Sequence, residues 1–236
     1  MPIRTDESAQ RMRPRDLAPG WHTAALIFVM VAVVVIGALG GGQGAPAPIG
    51  NGSRIIAIYL PILLVQAGLT VYVTRIGRPQ NAIVTLLGRR WDTPRRALAD
   101  LGFAILVGAF IVGSELAWGR LQGASKNTSL MALLPETDSE RLAWVLVAIS
   151  VGFAEEVVYR GYLQRQLAAF TKSETLATVL QAVLFGLAHG NQGWTTAARF
   201  AVYGIVLAVL ARARGSLLSG IACHAGIDIA AGLLGR

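Results

Sequence analysis

The chain has 236 residues, of which 54% are hydrophobic and only 14% charged, and its mean hydropathy is +0.55. That apolar content exceeds the share of a soluble domain and points to a membrane protein. The formal net charge of +8 does not point to nucleic acid, because the basic residues fall in alternate loops without clustered stacking aromatics, and the single cysteine, Cys223, excludes a disulfide framework or a cysteine-based zinc finger.

Residues 1–20 are polar and read as a cytoplasmic N-terminal segment. A membrane-crossing helix takes roughly 20 mostly apolar residues, and the stretches 21–40, 55–74, 97–119, 142–164, 175–190, 197–211 and 216–234 meet or approach that length. The expected fold is therefore all-α and polytopic, with about seven transmembrane helices. The first stretch follows Arg4, Arg11, Arg13 and Arg15 as the core of a signal peptide would. Its apolar part is too long for one, and the A-x-A pattern at Ala45–Ala47 runs into Pro48, so it reads as an uncleaved helix.

Between the helices, 40–53 ("GGGQGAPAPIGNGS") reads as an outside loop, 75–96 as a strongly basic inside loop, and 120–141, with Glu136, Asp138 and Glu140, as an outside loop. With the N-terminus inside, 14 of the 21 basic residues fall on the inner side and 6 on the outer, with Arg160 left within the membrane. The positive-inside rule then predicts a multi-pass cell-membrane protein with a cytoplasmic N-terminus. Residues 21–141 hold the N-terminal transmembrane helices and loops, and 142–236 the working core, together one membrane domain.

An ionisable group at bilayer depth costs about 2.5 kcal/mol or more and is kept for function. The expected set is Glu155, Glu156, Arg160, His189, His224 and Asp228, all in the last four helices. Residues four apart share a helix face, which pairs Glu156 with Arg160, Phe185 with His189, and His224 with Asp228. Adjacent residues diverge by about 100° on an α-helix, so Glu155 and Glu156 serve different tasks. With Arg160 neutralising Glu156, Glu155 is left unpaired, as a general acid or base requires. Counting outward from the turns at Lys172 and Arg214 brings Glu155, His189, His224 and Asp228 to one layer.

"EEVVYRG", "FGLAH" and "HAGID" resemble the E-E-x-x-x-R-G, F-x-x-x-H and H-x-x-x-N/D motifs of the CPBP family (CAAX proteases and bacteriocin-processing enzymes, also called ABI), which are intramembrane endopeptidases. The resemblance covers roughly 142–234, with the motifs in family order. It implies that Glu155 activates water together with His189, that Glu156 and Arg160 support it, and that His224 and Asp228 hold the substrate carbonyl and its oxyanion. Relatives often carry Asn where this chain has Asp228; an ionised Asp accepts hydrogen bonds but donates none, so the expectation is that Asp228 orients His224.

Plainer roles stand beside these. Glu156 and Arg160 form a structural ion pair on the alternative reading, Phe185 is packing, and His22 and Glu115 are interfacial. Cys223 adjoins His224 but points elsewhere on a helix, and Ser219–Gly220 lacks the first glycine of the rhomboid G-x-S-G pattern, with Leu217 in its place. Glu155, His189 and His224 are also the residues that would hold zinc, though H-E-x-x-H is absent and the favoured scheme uses no metal. The implied partners are the lipid bilayer and a membrane-associated peptide or protein substrate. A noncatalytic scaffold or small-solute transporter using the same polar layer is the alternative, against which stands the lack of visible inverted repeats.

Overall fold

The computed structural model describes residues 17–39, 54–75, 83–122 and 128–235. The readings of 1–16 as part of a cytoplasmic segment and of 40–53 as an outside loop, with the charges Arg78, Lys126 and Arg236, lie outside the described residues. Within them the chain is helical and contains no β-strand. The helices are α1 (Gly20–Leu39), α2 (Ile55–Arg75), α3 (Ile83–Leu87), α4 (Pro94–Gln122), α5 (Thr128–Leu133), α6 (Asp138–Thr171), α7 (Glu174–Ala188), α8 (Trp194–Arg214) and α9 (Leu218–Leu234).

All seven expected apolar helices are present. Four of them, α2, α4, α6 and α8, are long and apolar enough to cross a membrane, while α1, α7 and α9 have shorter apolar stretches. The protein is a multi-pass, all-α membrane protein. Two expected loops contain further helices: α3 falls within 75–96, and α5 and the ends of α4 and α6 within 120–141. Such short helices lack the long apolar signature by which a span is recognised.

Half of the apolar window of α6 is buried, against 11% for α2 and 17% for α4, which makes α6 the central element. It packs on α2, α7 and α9; α7 packs on α8 and α1, and α9 on α4. Elsewhere the surface is apolar, as contact with acyl chains requires: Phe28, Ile36, Leu64, Ile105 and Leu106 all point outward.

Local chemistry marks the helix ends. Thr137 caps α6 through a capping box in which its side chain accepts from the Glu140 N–H and the Glu140 side chain accepts from the Thr137 N–H. Lys172, with φ +57°, ends α6, and the Ser173 side chain accepts from the Leu176 N–H to start α7. Gly215 ends α8 at φ +59°. The turn between α8 and α9 is pinned by the end of α3 and the residues after it: the Arg89 N–H donates to the Gly215 carbonyl and the Leu217 N–H to that of Leu87, both at 2.9 Å. The Arg165 guanidinium fastens α6 to α3 through the carbonyls of Thr85 and Leu86.

Without an aqueous driving force between them, membrane helices gain from close backbone approach at small residues. A Cβ on Gly152 would lie 2.7 Å from the backbone nitrogen of Ala225, so α6 and α9 touch there; a Cβ on Gly186 would collide with the Ala197 carbonyl, so α7 and α8 touch likewise. Gly186→Val should therefore destabilise the protein by ~3 kcal/mol or more, since backbone cannot yield as a side chain can. Gly113→Val, at a position with no atom within 4 Å of the added Cβ, should leave the thermal midpoint in detergent nearly unchanged. Equal midpoints for the two variants would contradict this packing.

Candidate active site

The Glu-Glu pair straddles a change of helix type. Glu155 is the last residue of the α-helical part of α6, and Glu156–Leu163 is π-helical before α geometry resumes at Gln164. The four-residue spacing that paired Glu156 with Arg160 assumed α geometry, which does not hold here. The pair forms nonetheless, because the arginine stem is long enough to reach back: Nη1 donates to Glu156 Oε1 at 2.9 Å, with both side chains fully buried. π-helical turns are rare and often accompany functional sites.

A buried guanidinium is costly unless acceptors meet its N–H groups, and among the described residues Arg160 Nε has none, so the other contacts carry the burden. Arg160 Nη2 donates to the Gly204 carbonyl of α8 at 3.4 Å, and its plane sits 4.3 Å from the centre of the Phe185 ring of α7. The Glu156 carboxylate in turn occupies the space that a side chain at position 220 would fill, since a Cβ there would lie 2.9 Å from Glu156 Oε2. Gly220 on α9 is thus a requirement of the ion pair.

His224 stands among three carboxylates. Its Nδ1–H donates to Glu156 Oε1 at 3.3 Å, while Nε2 lies 3.7 Å from Glu155 Oε2 and 3.7 Å from Asp228 Oδ2. Glu156 therefore holds the ring directly. Asp228 stands beyond hydrogen-bond distance, and its backbone carbonyl accepts from Trp144 Nε1 at 2.7 Å. The expectation that Glu156 is occupied by Arg160 alone is too simple, because one of its oxygens serves both the arginine and the histidine.

Glu155 was expected to lack a partner. Instead its Oε1 accepts from Gln66 Nε2 at 3.1 Å, a contact from α2. Its other oxygen, Oε2, is buried without a hydrogen-bond partner among the described residues and faces His224 across the 3.7 Å gap.

His189 lies just past the end of α7. Its Nδ1–H donates to the Phe185 carbonyl at 2.9 Å, so in the neutral ring Nε2 keeps a free lone pair. The ring stacks on Phe200 of α8, 4.0 Å between centres. No hydrogen bond ties it to Glu155, though the two are near enough to interact electrostatically. The Phe185 ring packs against both imidazoles, 5.0 Å from His189 and 6.0 Å from His224, so its packing extends beyond the one ring expected.

Glu115 is not a bare interfacial residue. Its carboxylate accepts from Arg199 Nη1 and from the Tyr203 hydroxyl, each at 2.7 Å, tying α4 to the helix that carries Phe200. Cys223 packs among Tyr203, Leu207 and Leu210, and Ser219 Oγ bonds to no histidine. Gln66 and Phe200 escaped the sequence reading, and Gly220 entered it only as part of a rejected serine-protease pattern, not as the space for Glu156. The only trace of Gln66 is one amide in the apolar run "PILLVQAGLTVYV".

Among the described residues no three His, Cys, Asp or Glu side chains are grouped as a metal-binding set. Glu155, His189 and His224, which a zinc site would draw on, do not form one as they stand. The three do line a buried polar layer holding a carboxylate oxygen and an imidazole nitrogen, each with a lone pair unengaged. Such a layer can bind and deprotonate water.

The family model described as "Rce1-like: Type II CAAX prenyl endopeptidase Rce1-like" matches residues 137–230. No curated protein and no solved structure matches the chain. The matched segment runs from the capping box of α6 to the helix carrying His224 and Asp228, and contains every ionisable member of the layer. Over residues 137–230 this multi-pass membrane protein is similar to the Rce1-like type II CAAX prenyl endopeptidases, which points to a CAAX-type protease.

Proposed function

We propose that the protein is an intramembrane endopeptidase that hydrolyses a peptide bond in a membrane-associated protein or peptide by activated water, with no covalent acyl-enzyme. The observation that supports this best is His224 within 3.3–3.7 Å of three carboxylates, beside a carboxylate oxygen of Glu155 that has no partner. Glu155 takes a proton from water, whose oxygen attacks the carbonyl carbon; the C–N bond then breaks and the proton passes to the leaving amine. His189 Nε2 accepts a hydrogen bond from the same water. His224, when its Nε2 carries a proton, donates to the oxyanion, and Asp228 beside it balances that charge. Glu156 and Arg160 are positioning residues that hold His224.

The substrate class that the family description suggests is a prenylated C-terminal CAAX peptide. The arginine asymmetry of the loops supports a cytoplasmic N-terminus in the cell membrane.

Glu155→Gln keeps the volume and the contact with Gln66 but removes the base. Purified in detergent, that variant should fold with a normal thermal midpoint and lose at least ~10³-fold of its cleavage of a quenched farnesylated CAAX peptide. Full activity in it refutes the assignment.

The proposed chemistry needs no resident metal. Activity on that peptide should survive dialysis against excess 1,10-phenanthroline and EDTA. Stoichiometric zinc released together with activity would overturn this part of the reading.

Arg160→Met removes the cationic partner of a fully buried pair and leaves Glu156 with the His224 contact alone, which should cost about 3–5 kcal/mol in denaturant unfolding. A change under about 1 kcal/mol would mean that Glu156 does not depend on the arginine.

A further inference from the structure

Gln66 lies outside the matched segment, on a helix that carries none of the three motifs, yet it makes the only hydrogen bond to Glu155 among the described residues. We infer that Gln66 is the positioning residue of Glu155, fixing one carboxylate oxygen so that the other stays turned into the polar layer. This rests on the reading of Glu155 as the base.

Three observations converge on it. The side chain is 9% exposed, so the amide is held inside the bundle and not at its surface. Its Nε2 donates to Glu155 Oε1 at 3.1 Å, and that same carboxylate keeps Oε2 unpartnered opposite His224. The third is the amide's own oxygen: Gln66 Oε1 is buried and, among the described residues, accepts from nothing. A buried polar atom without a partner costs about 1–3 kcal/mol, and a leucine at this place in an apolar helix would avoid that cost. The amide therefore earns its position through the groups beside it.

The physical logic follows from the two oxygens of a carboxylate. Unrestrained, the group rotates about its last bond and presents either oxygen to water. One donor on Oε1 removes that freedom without consuming Oε2. Arg or Lys in the same place would also hold Oε1, but would form an ion pair and weaken Glu155 as a base. A neutral amide orients without adding a charge. Misplacing a reacting group by about 1 Å can cost about 10²-fold in rate.

The test pairs kinetics with a spectroscopic readout that does not depend on turnover. In infrared difference spectra, the carboxyl band missing from Glu155→Gln identifies Glu155. Gln66→Met, which keeps the volume and removes the donor, should displace that band. It should also lower kcat on the quenched farnesylated CAAX peptide by about 10–100-fold, with KM within about two-fold and the thermal midpoint unchanged. Gln66→Asn retains an amide but withdraws it by one methylene, and should show the same loss, which guards against a folding defect in the methionine variant. An unmoved band, an unchanged kcat in either variant, or an effect on KM alone overturns the inference. If Glu155→Gln is itself active, the reading of the base fails while the band shift still reports on the contact. If Glu155→Gln is inactive but Gln66→Met is normal with its band in place, the inference alone falls.

Discussion

Two neighbouring carboxylates withdrawn from water on one helix are the constraint around which the bundle is organised. Stripping an ion of water costs several kcal/mol even after relaxation, and only close partners offset it. Glu156 obtains them from its own helix through Arg160 and from α9 through His224. The arginine in turn needs the Gly204 carbonyl on α8 and the Phe185 face on α7. One charge thus recruits four helices, and Gly220 is the space left so that they can close around it. The Gly204 carbonyl also accepts from Gln181 Nε2 on α7, so the acceptor that steadies the guanidinium is itself shared between two helices.

The two glutamates, adjacent in sequence, meet opposite surroundings. Glu156 Oε1 is held by an arginine and a histidine, whereas Glu155 Oε1 meets one neutral amide; Oε2 of each lacks a hydrogen-bond partner among the described residues, that of Glu156 against Gly220 and that of Glu155 facing His224. The histidines differ in the same manner. His224 is fixed through its Nδ1 by a carboxylate and His189 through its Nδ1 by a backbone carbonyl, and in both the Nε2 edge is left for other work. Aromatic rings set the angles: Phe200 stacks on His189, and α8, which carries it, is braced from α4 by Glu115. Rigid support around a small set of unengaged atoms is what a preorganised site requires.

Charge was the legible part of the sequence. Ionisable residues in apolar helices are conspicuous because lipid penalises them, and spacing alone gathered Glu155, Glu156, Arg160, His224 and Asp228, which the structure brings within a few ångströms of one another. The seven apolar helices were legible by length. Gln66 was not, because a neutral amide carries no charge signal and its partner is 89 residues away in sequence. The π-helical turn was hidden as well: hydrophobic pattern alone does not separate i→i+4 from i→i+5 bonding, and the four-residue spacing of Glu156 and Arg160 reads as ordinary α geometry. Phe200 is an ordinary aromatic until the His189 ring is seen lying against it.

The widened turn at Glu156–Leu163 governs more than the pair it contains. Each such turn takes up one residue more than its α counterpart, so everything downstream is rephased about the helix axis. Gln164 meets Thr178 and Gln166 clasps the backbone of Leu17 and Ala18 only in that shifted phase. Winding the same residues at ordinary α pitch, with none removed, would turn everything after them by about 100° and swing both glutamines off their partners. The anchorage of α1 against the core is in this sense written into the winding of that segment, both through Gln166 beyond it and through Tyr162 within it, whose hydroxyl lies 3.0 Å from Thr23 Oγ1 of α1.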